Sequence, residues 1–211
     1  SVITCPSPSN LVASNPLHDS ATFTWDAPTS VTPTYDYYIS DNNTPPTDTT
    51  DPTDNISATT ITVSGLDQST IYYFWVRSNC GSGNSFWTGP VSIATTQIPA
   101  TLDYTDGFEG VNVWFLNNGN QVNKWIVGTA TQNGGTKSLY ISNNNNANAY
   151  TLNAASVVHA YRDIAITAGT DQMTVAFDWK GMGEGFTGNP LDYFRVWLVP
   201  TTFNPLAGTQ I

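Results

Sequence analysis

Short runs of period-two alternation, each closed by a cluster of Pro, Asn, Asp or Gly, constrain this chain more than any other feature. Ala21-Thr22-Phe23-Thr24-Trp25 sends apolar and polar residues to opposite faces and stops at Asp26-Ala27-Pro28. That is the pattern of a strand buried on one side, and proline cannot continue a hydrogen-bonded ladder. Tyr35 to Ser40 reads as an aromatic strand, and Thr59 to Ser64 alternates again with Ile61 and Val63 on one face. Ile71 to Arg77 is the strongest strand of this half, and Val91 to Thr95 closes the series. Asp41 to Asn55 is polar and carries Pro45, Pro46 and Pro52, which bars it from a central strand. Strands at this spacing predict a sandwich of two sheets. Helices lack material, since the chain holds only two Glu and three Lys while Thr, Asn, Ser, Gly and Pro abound. The expected class is all-β, and 211 residues suit two consecutive β-sandwiches of about 100 residues each.

A formal net charge of −10 repels phosphate backbones, so nucleic acid is not an expected partner. No apolar run approaches the roughly 20 residues needed to span a bilayer, and membrane insertion is not expected either. The chain opens without Met or a basic-then-apolar leader, and we expect a segment of a longer polypeptide. Cys5 and Cys80 are the two cysteines, and neither has a neighbour at metal-ligand spacing. Two readings compete. They are inert buried thiols, or they pair and close a loop of about 75 residues, which stabilises by roughly 4–5 kcal/mol in the chain-entropy model. Pairing requires an oxidising compartment, in keeping with the acidic, Asn/Thr-rich composition, and we expect an extracellular or cell-surface location.

The segment from Cys5 to Thr96 resembles a fibronectin type III domain. Pro6 to Ala13 matches the first strand of that family, and Trp25 stands at its core tryptophan. Gly65-Leu66 with Thr70 and Tyr72 resembles its tyrosine corner, in which a phenol hydroxyl bonds back to backbone near the strand entry. Trp87-Thr88-Gly89-Pro90 resembles its approach to the last strand. Cys5-Pro6 with Ser78-Asn79-Cys80-Gly81 is similar to a disulfide-bearing bacterial variety, which implies the Cys5–Cys80 pairing.

Thr96 to Thr101 reads as a linker, so the chain divides into 1–97 and 98–211. Strands are expected at Lys124 to Thr129, Lys137 to Ser142, Ser156 to Ile164, Gln172 to Lys180 and Tyr193 to Pro200. The run Asn143 to Asn146 reads as a surface loop, because Asn tolerates left-handed backbone. This second part resembles the jelly-roll modules of cleaved-adhesin and MAM-like type. The resemblance is carried by Asp106-Gly107-Phe108-Glu109, Trp125, Gly135, Ser138 to Ser142, Met173 to Trp179 and Asp192 to Trp197. Such modules are longer than the part that remains here. The last strands are therefore expected to be missing or supplied by sequence beyond Ile211, leaving an edge open to pairing.

Asp103, Asp106 and Glu109 recur at spacing three on an irregular entry segment, and gathered carboxylates are hard oxygen donors suited to calcium. The jelly-roll resemblance implies a structural calcium near the Phe-Glu pair and near a strand-opening acid, which matches Asp192. Glu109, Asp192 and Asp106 are thus the expected ligands. Solvated loop carboxylates are the other reading, and no Asp-x-Asp-x-Asp-Gly loop of EF-hand kind occurs. Glu184 with Asp192 offers a pair of acids for glycoside hydrolysis, but Glu184 sits in the flexible loop Gly181 to Gly185, where a general acid is poorly held. His159 with Asp163 or Asp178 has no Gly-x-Ser-x-Gly elbow to serve, and a strand-face role is expected for it. His18 and His159 fall in different modules and make no zinc site. Gly81-Ser82-Gly83 lacks the later glycine of a nucleotide loop and is a turn. No catalytic residue is expected.

Aromatic residues make up 12% of the chain. Trp25, Trp125, Phe177 and Trp179 are expected in cores, whereas Trp87, Trp114 and Phe115 are the candidates for an outer platform on which sugar rings stack. Asn42-Asn43-Thr44 and Asn55-Ile56-Ser57 satisfy the N-glycosylation pattern. Asp19-Ser20-Ala21 and Asp48-Thr49-Thr50 resemble the bacterial O-glycosylation pattern of acid, hydroxyl, then small or apolar residue. The pair of modules resembles large bacterial surface or secreted proteins exported by the type IX route and linked to adhesion or gliding. This implies a non-catalytic adhesin segment that binds glycan or a cell-surface protein beside other modules of the same chain. The alternative is accessory architecture of a secreted peptidase or glycosidase with catalysis elsewhere.

Overall fold

The computed structural model describes residues 5–183, 185–186, 189–190 and 192–211. Among these the regular elements are all strands, and no helix is long and apolar enough to cross a membrane. The chain divides into two compact units, 1–98 and 99–211.

The first unit carries β1 (Ser9–Ser14), β2 (Ser20–Asp26), β3 (Thr34–Ser40), β4 (Asp54–Ile56), β5 (Thr60–Ser64), β6 (Ile71–Asn79) and β7 (Thr88–Ala94). They form one sheet in the order β1-β2-β5 and a second in the order β4-β3-β6-β7, all antiparallel. The alternation read from the sequence puts Phe23 and Trp25 of β2, Tyr35 and Tyr37 of β3, and Phe74 and Val76 of β6 into one core. Phe23 stacks on Phe74 at 4.0 Å between ring centroids, and Tyr37 lies 5.4 Å from the same ring. Trp25 meets Tyr35 edge-on at 5.5 Å. Truncating a ring so placed leaves a cavity and costs about 3–5 kcal/mol.

The corner before β6 is built as the tyrosine-corner resemblance implies. The Asp67 amide donates to the Tyr72 hydroxyl at 3.0 Å, and the Thr95 hydroxyl donates to the Asp67 carbonyl while accepting from the Thr70 amide. Opposite the irregular step between Phe74 and Val76 sits Gly89 at φ 132°. A Cβ there would lie 2.7 Å from the Phe74 carbonyl oxygen, so the bulge requires glycine.

Cys5 and Cys80 form a disulfide with Cα atoms 5.8 Å apart, which excludes the free-thiol reading. It ties the segment preceding β1 to the residue following β6.

In the second unit β8 (Ala100–Thr101), β9 (Phe115–Asn117), β10 (Lys124–Gly128), β11 (Ser138–Ser142), β12 (His159–Tyr161), β13 (Ile164–Ala165), β14 (Gly185–Phe186) and β15 (Asn189–Pro190) pair two at a time. The β10–β11 hairpin matches the first two expected strands in register Lys124↔Ser142 to Gly128↔Ser138. The expected strand Ser156 to Ile164 is broken, β12 pairing with β9 while β13 runs parallel to β8.

Gln172 to Lys180 and Tyr193 to Pro200, also expected as strands, enter no ladder. Alternation supplies the faces of a strand, but a strand persists only where a neighbour takes up its N–H and C=O groups. The expectation that Phe177 and Trp179 fill a core is likewise overturned, since they are 51% and 70% exposed. Their rings gather loosely around Phe194 at 5.9 and 6.3 Å, with half-buried Trp125 at 6.2 Å.

The disulfide spans a sequence separation of 75 residues. Replacing both cysteines by Ala should lower the stability of the first unit by roughly 4–5 kcal/mol, read as a lower denaturation midpoint in urea.

Candidate functional site

The four-stranded sheet presents its second face away from the aromatic core, and two cross-strand pairs of β3 and β6 occupy it, Asp36↔Arg77 and Tyr38↔Trp75. Arg77 Nε donates to Asp36 Oδ2 at 2.9 Å, and the two side chains are only 5% and 4% exposed. Ions held this dry need every lone pair and proton engaged. Asp36 Oδ1 accepts from the amide groups of Asn55 at 2.6 Å and Asn79 at 3.3 Å. Arg77 Nη1 donates to the Asp48 carbonyl at 3.3 Å, and the guanidinium lies 4.4 Å from the centre of the Trp87 ring. Trp87 in turn donates its Nε1 proton to the Thr47 carbonyl at 3.1 Å.

Two backbone carbonyls of the proline-rich loop 41–53 are thereby pinned to the sheet, and the far end is fixed by the Thr53 amide on the Tyr37 carbonyl at 2.7 Å. Trp75, buried on the same face, lies beside Tyr38 and Tyr73 at 5.9 and 6.3 Å. This network escaped the sequence reading, although it had a signal. Asp36 interrupts an aromatic strand at its outward parity, and Arg77 is the one Lys or Arg in the first hundred residues.

Of the three platform candidates, Trp87 is half-buried on this face. Trp114 is half-buried in the second unit, its Nε1 bound to Asp106 Oδ2 at 2.9 Å and its ring 5.8 Å from Phe108. Phe115 is no platform residue. It is 8% exposed in β9, where its ring stacks on that of its cross-strand partner Tyr161 at 5.2 Å.

The carboxylates expected around calcium stand in separate hydrogen-bonded settings. Asp106 Oδ1 accepts from the Phe108 amide at 2.7 Å, and Oδ2 accepts from Tyr104 at 2.8 Å as well as from Trp114. Burial, followed by the Asp106 partner, pushes the Tyr104 phenol above its ordinary 10.0. Glu109 accepts from the Thr136 hydroxyl at 2.6 Å, the Thr136 amide at 2.8 Å and the Lys137 amide at 3.0 Å. Gly135, at φ 62°, lets the carboxylate approach, since a Cβ there would collide with Glu109 Oε1. Asp192 accepts from the Tyr150 hydroxyl at 2.9 Å. Among the described residues no three His, Cys, Asp or Glu side chains are grouped to hold a metal ion. Asp106 and Glu109 are thus each held by backbone N–H and side-chain donors, and Asp192 by the Tyr150 hydroxyl.

Glu184 lies outside the described residues. His159 Nε2 stands 3.1 and 3.0 Å from the Leu206 and Thr209 carbonyls, on a strand as expected, and Asp178 accepts from Asn133 at 2.9 Å. His18 lies 3.7 Å from Asp19, both exposed.

Residues 6–94 match the fibronectin type III domain family model. The fn3 domain of human collagen alpha-1(XX) chain is similar at 18% identity and a TM-score of 0.38, over 46% of this chain and 90% of that one. The FN5 domain of Drosophila Lar is similar at 14% identity and a TM-score of 0.34, over 44% of this chain and 98% of that one. The domain from human fibronectin type III domain containing protein 3 stands at 18% identity and 0.39, over 46% and 90%. No curated protein matches the chain.

Two outcomes follow from these contacts. Asp36→Ala strands the Arg77 charge in a dry site and should cost about 3–5 kcal/mol in chemical denaturation of the first unit, whereas Asp36→Leu with Arg77→Met should cost less. The Thr136 hydroxyl, and then the Lys137 and Thr136 amides, hold the Glu109 carboxyl below its ordinary 4.5. A lowered folded value stabilises above the unfolded one, so this contribution is present at neutral pH and is lost as pH falls from 4.5 through the folded value. The thermal midpoint of Glu109→Gln should show a smaller acid-side decline than that of the parent chain.

Proposed function

We propose that this chain, with a first domain of fibronectin type III kind, is a non-catalytic segment of an extracellular or cell-surface adhesin, and that Trp87 is its contact with a neutral glycan. The observation that carries the reading is the way Trp87 is held. Arg77 braces the ring, and the indole N–H is bound to the Thr47 carbonyl, so a half-buried aromatic surface is fixed before any ligand arrives. An immobilised ring loses little rotamer freedom on binding, and its π-face suits the apolar side of a pyranose. The net charge of −10 favours a neutral sugar over an acidic one. The disulfide supports an oxidising, extracellular setting. One such platform binds weakly, and adhesion at a surface draws on repeated copies, which convert weak contacts into avidity.

The test is retention of tandem copies of the chain on immobilised neutral oligosaccharides. Trp87→Ala should reduce retention by at least about tenfold, equivalent to 1.4 kcal/mol, while Trp114→Ala leaves it unchanged. Equal retention by the parent and Trp87→Ala rejects the platform. Absence of binding, together with a change in the turnover of polymeric substrate by an attached enzyme, would establish the accessory-module alternative.

A further inference from the structure

We infer that the loop 41–53 is a carbohydrate-attachment segment and that the Thr49 hydroxyl is its O-linked acceptor. Only two places in the chain set an Asp directly before a Ser or Thr, Asp19-Ser20 and Asp48-Thr49. Ser20 is closed to an enzyme. It is buried in β2, paired with Ser64 of β5, and its hydroxyl donates to Asp19. Thr49 is exposed, and the Thr50 amide closes a turn on the Thr47 carbonyl around it at 3.1 Å.

The other hydroxyls of the loop are engaged or lack a preceding acid. Thr50 accepts from the Thr47 amide at 2.8 Å, Thr53 accepts from the Ile39 amide at 3.2 Å, and Thr44 donates to the Asn42 side chain at 2.9 Å. Thr47 follows Pro46. The Thr49 hydroxyl has a single hydroxyl contact, to Thr47 at 3.2 Å. Of the two N-linked patterns, Asn55 has its amide nitrogen committed to Asp36 and Thr34 at 2.6 and 3.1 Å. The backbone beneath Thr49 is fixed by Arg77 on the Asp48 carbonyl and Trp87 on the Thr47 carbonyl. The acceptor is therefore presented on a rigid, outward turn that a transferase can enter without unfolding the sheet.

The chemistry is a glycosyl transfer. Thr49 Oγ1 attacks the anomeric carbon of a sugar activated as a nucleoside- or lipid-linked diphosphate. The C–Oγ1 bond forms as the bond to the phosphate oxygen breaks, the diphosphate leaves with the electron pair, and the hydroxyl proton passes to a base of the transferase.

The test is mass spectrometry of the full chain from its producing organism, with electron-transfer fragmentation of the chymotryptic peptide that spans the loop. We expect an increment of whole monosaccharide units located on Thr49. It should be lost in Thr49→Ala and in Asp48→Asn, which keeps the hydroxyl, and retained in Ser20→Ala and Asn42→Gln. Unchanged circular dichroism of the two loop variants excludes misfolding as the cause of the loss. A bare peptide, an increment on Asn42 or on another hydroxyl, or persistence in either loop variant overturns the assignment.

Discussion

The ladder between β3 and β6 is the constraint on which the first unit depends. Seven consecutive pairs, from Thr34↔Asn79 to Ser40↔Tyr73, lock two strands whose opposite faces have incompatible demands. One face supplies Tyr35, Tyr37, Phe74 and Val76 to the core, and the other carries a buried ion pair. Side chains alternate with period two, so a slip of one residue would drive Asp36 and Arg77 into the aromatic core and turn the core rings outward. The ion pair adds little net stability against an apolar pair of the same shape, but it excludes the slipped register. Its remaining hydrogen-bond capacity then organises the surroundings. Asn55 of β4 is drawn to Asp36, and the loop 41–53 and Trp87 are drawn to Arg77.

The second unit uses the same logic on a smaller scale. A carboxylate whose lone pairs suit a hard cation accepts backbone N–H groups just as well, and the fold decides which it meets. Glu109 meets two successive amides and a hydroxyl in the connection between β10 and β11, because Gly134 and Gly135 turn that backbone with positive φ. Asp106 meets Tyr104, Phe108 and Trp114. These contacts staple the irregular entry segment 103–114 internally. The carboxylates of Asp106 and Glu109 thus act as hydrogen-bonded anchors of this segment.

Legibility follows the range of the interaction involved. The strands of the first unit, the tyrosine corner and the core tryptophan could be read because alternation and turn residues are local signals. The charge pair could have been found from the lone arginine opposite an aspartate at outward parity, yet which acid it chooses is a question of register. In the second unit the β10–β11 hairpin was legible for the same local reason. Met173 to Trp179 and Phe194 to Leu198 alternate as clearly, and still make no ladder. Alternation describes the faces a strand would offer. It does not supply the neighbouring backbone that a strand requires. Phe115 was misread for a related reason, since its burial depends on Tyr161, 46 positions away in the numbering and adjacent across β9 and β12.

By itself the sequence determined an all-β chain, a first unit that resembles the fibronectin type III family, its aromatic core and the cysteines able to close it. Each of these follows from residue type and spacing, which act over a few positions or through a chemistry available to two side chains alone. Only the tertiary structure decided that Arg77 braces Trp87, that the loop 41–53 is pinned with Thr49 outward, that Glu109 and Asp106 serve backbone donors, and that Phe177 and Trp179 lie exposed. These outcomes depend on which distant groups arrive at contact distance. Hydrogen bonds and ring contacts decay within a few ångströms, so no pattern along the chain can assign them before the strands have paired.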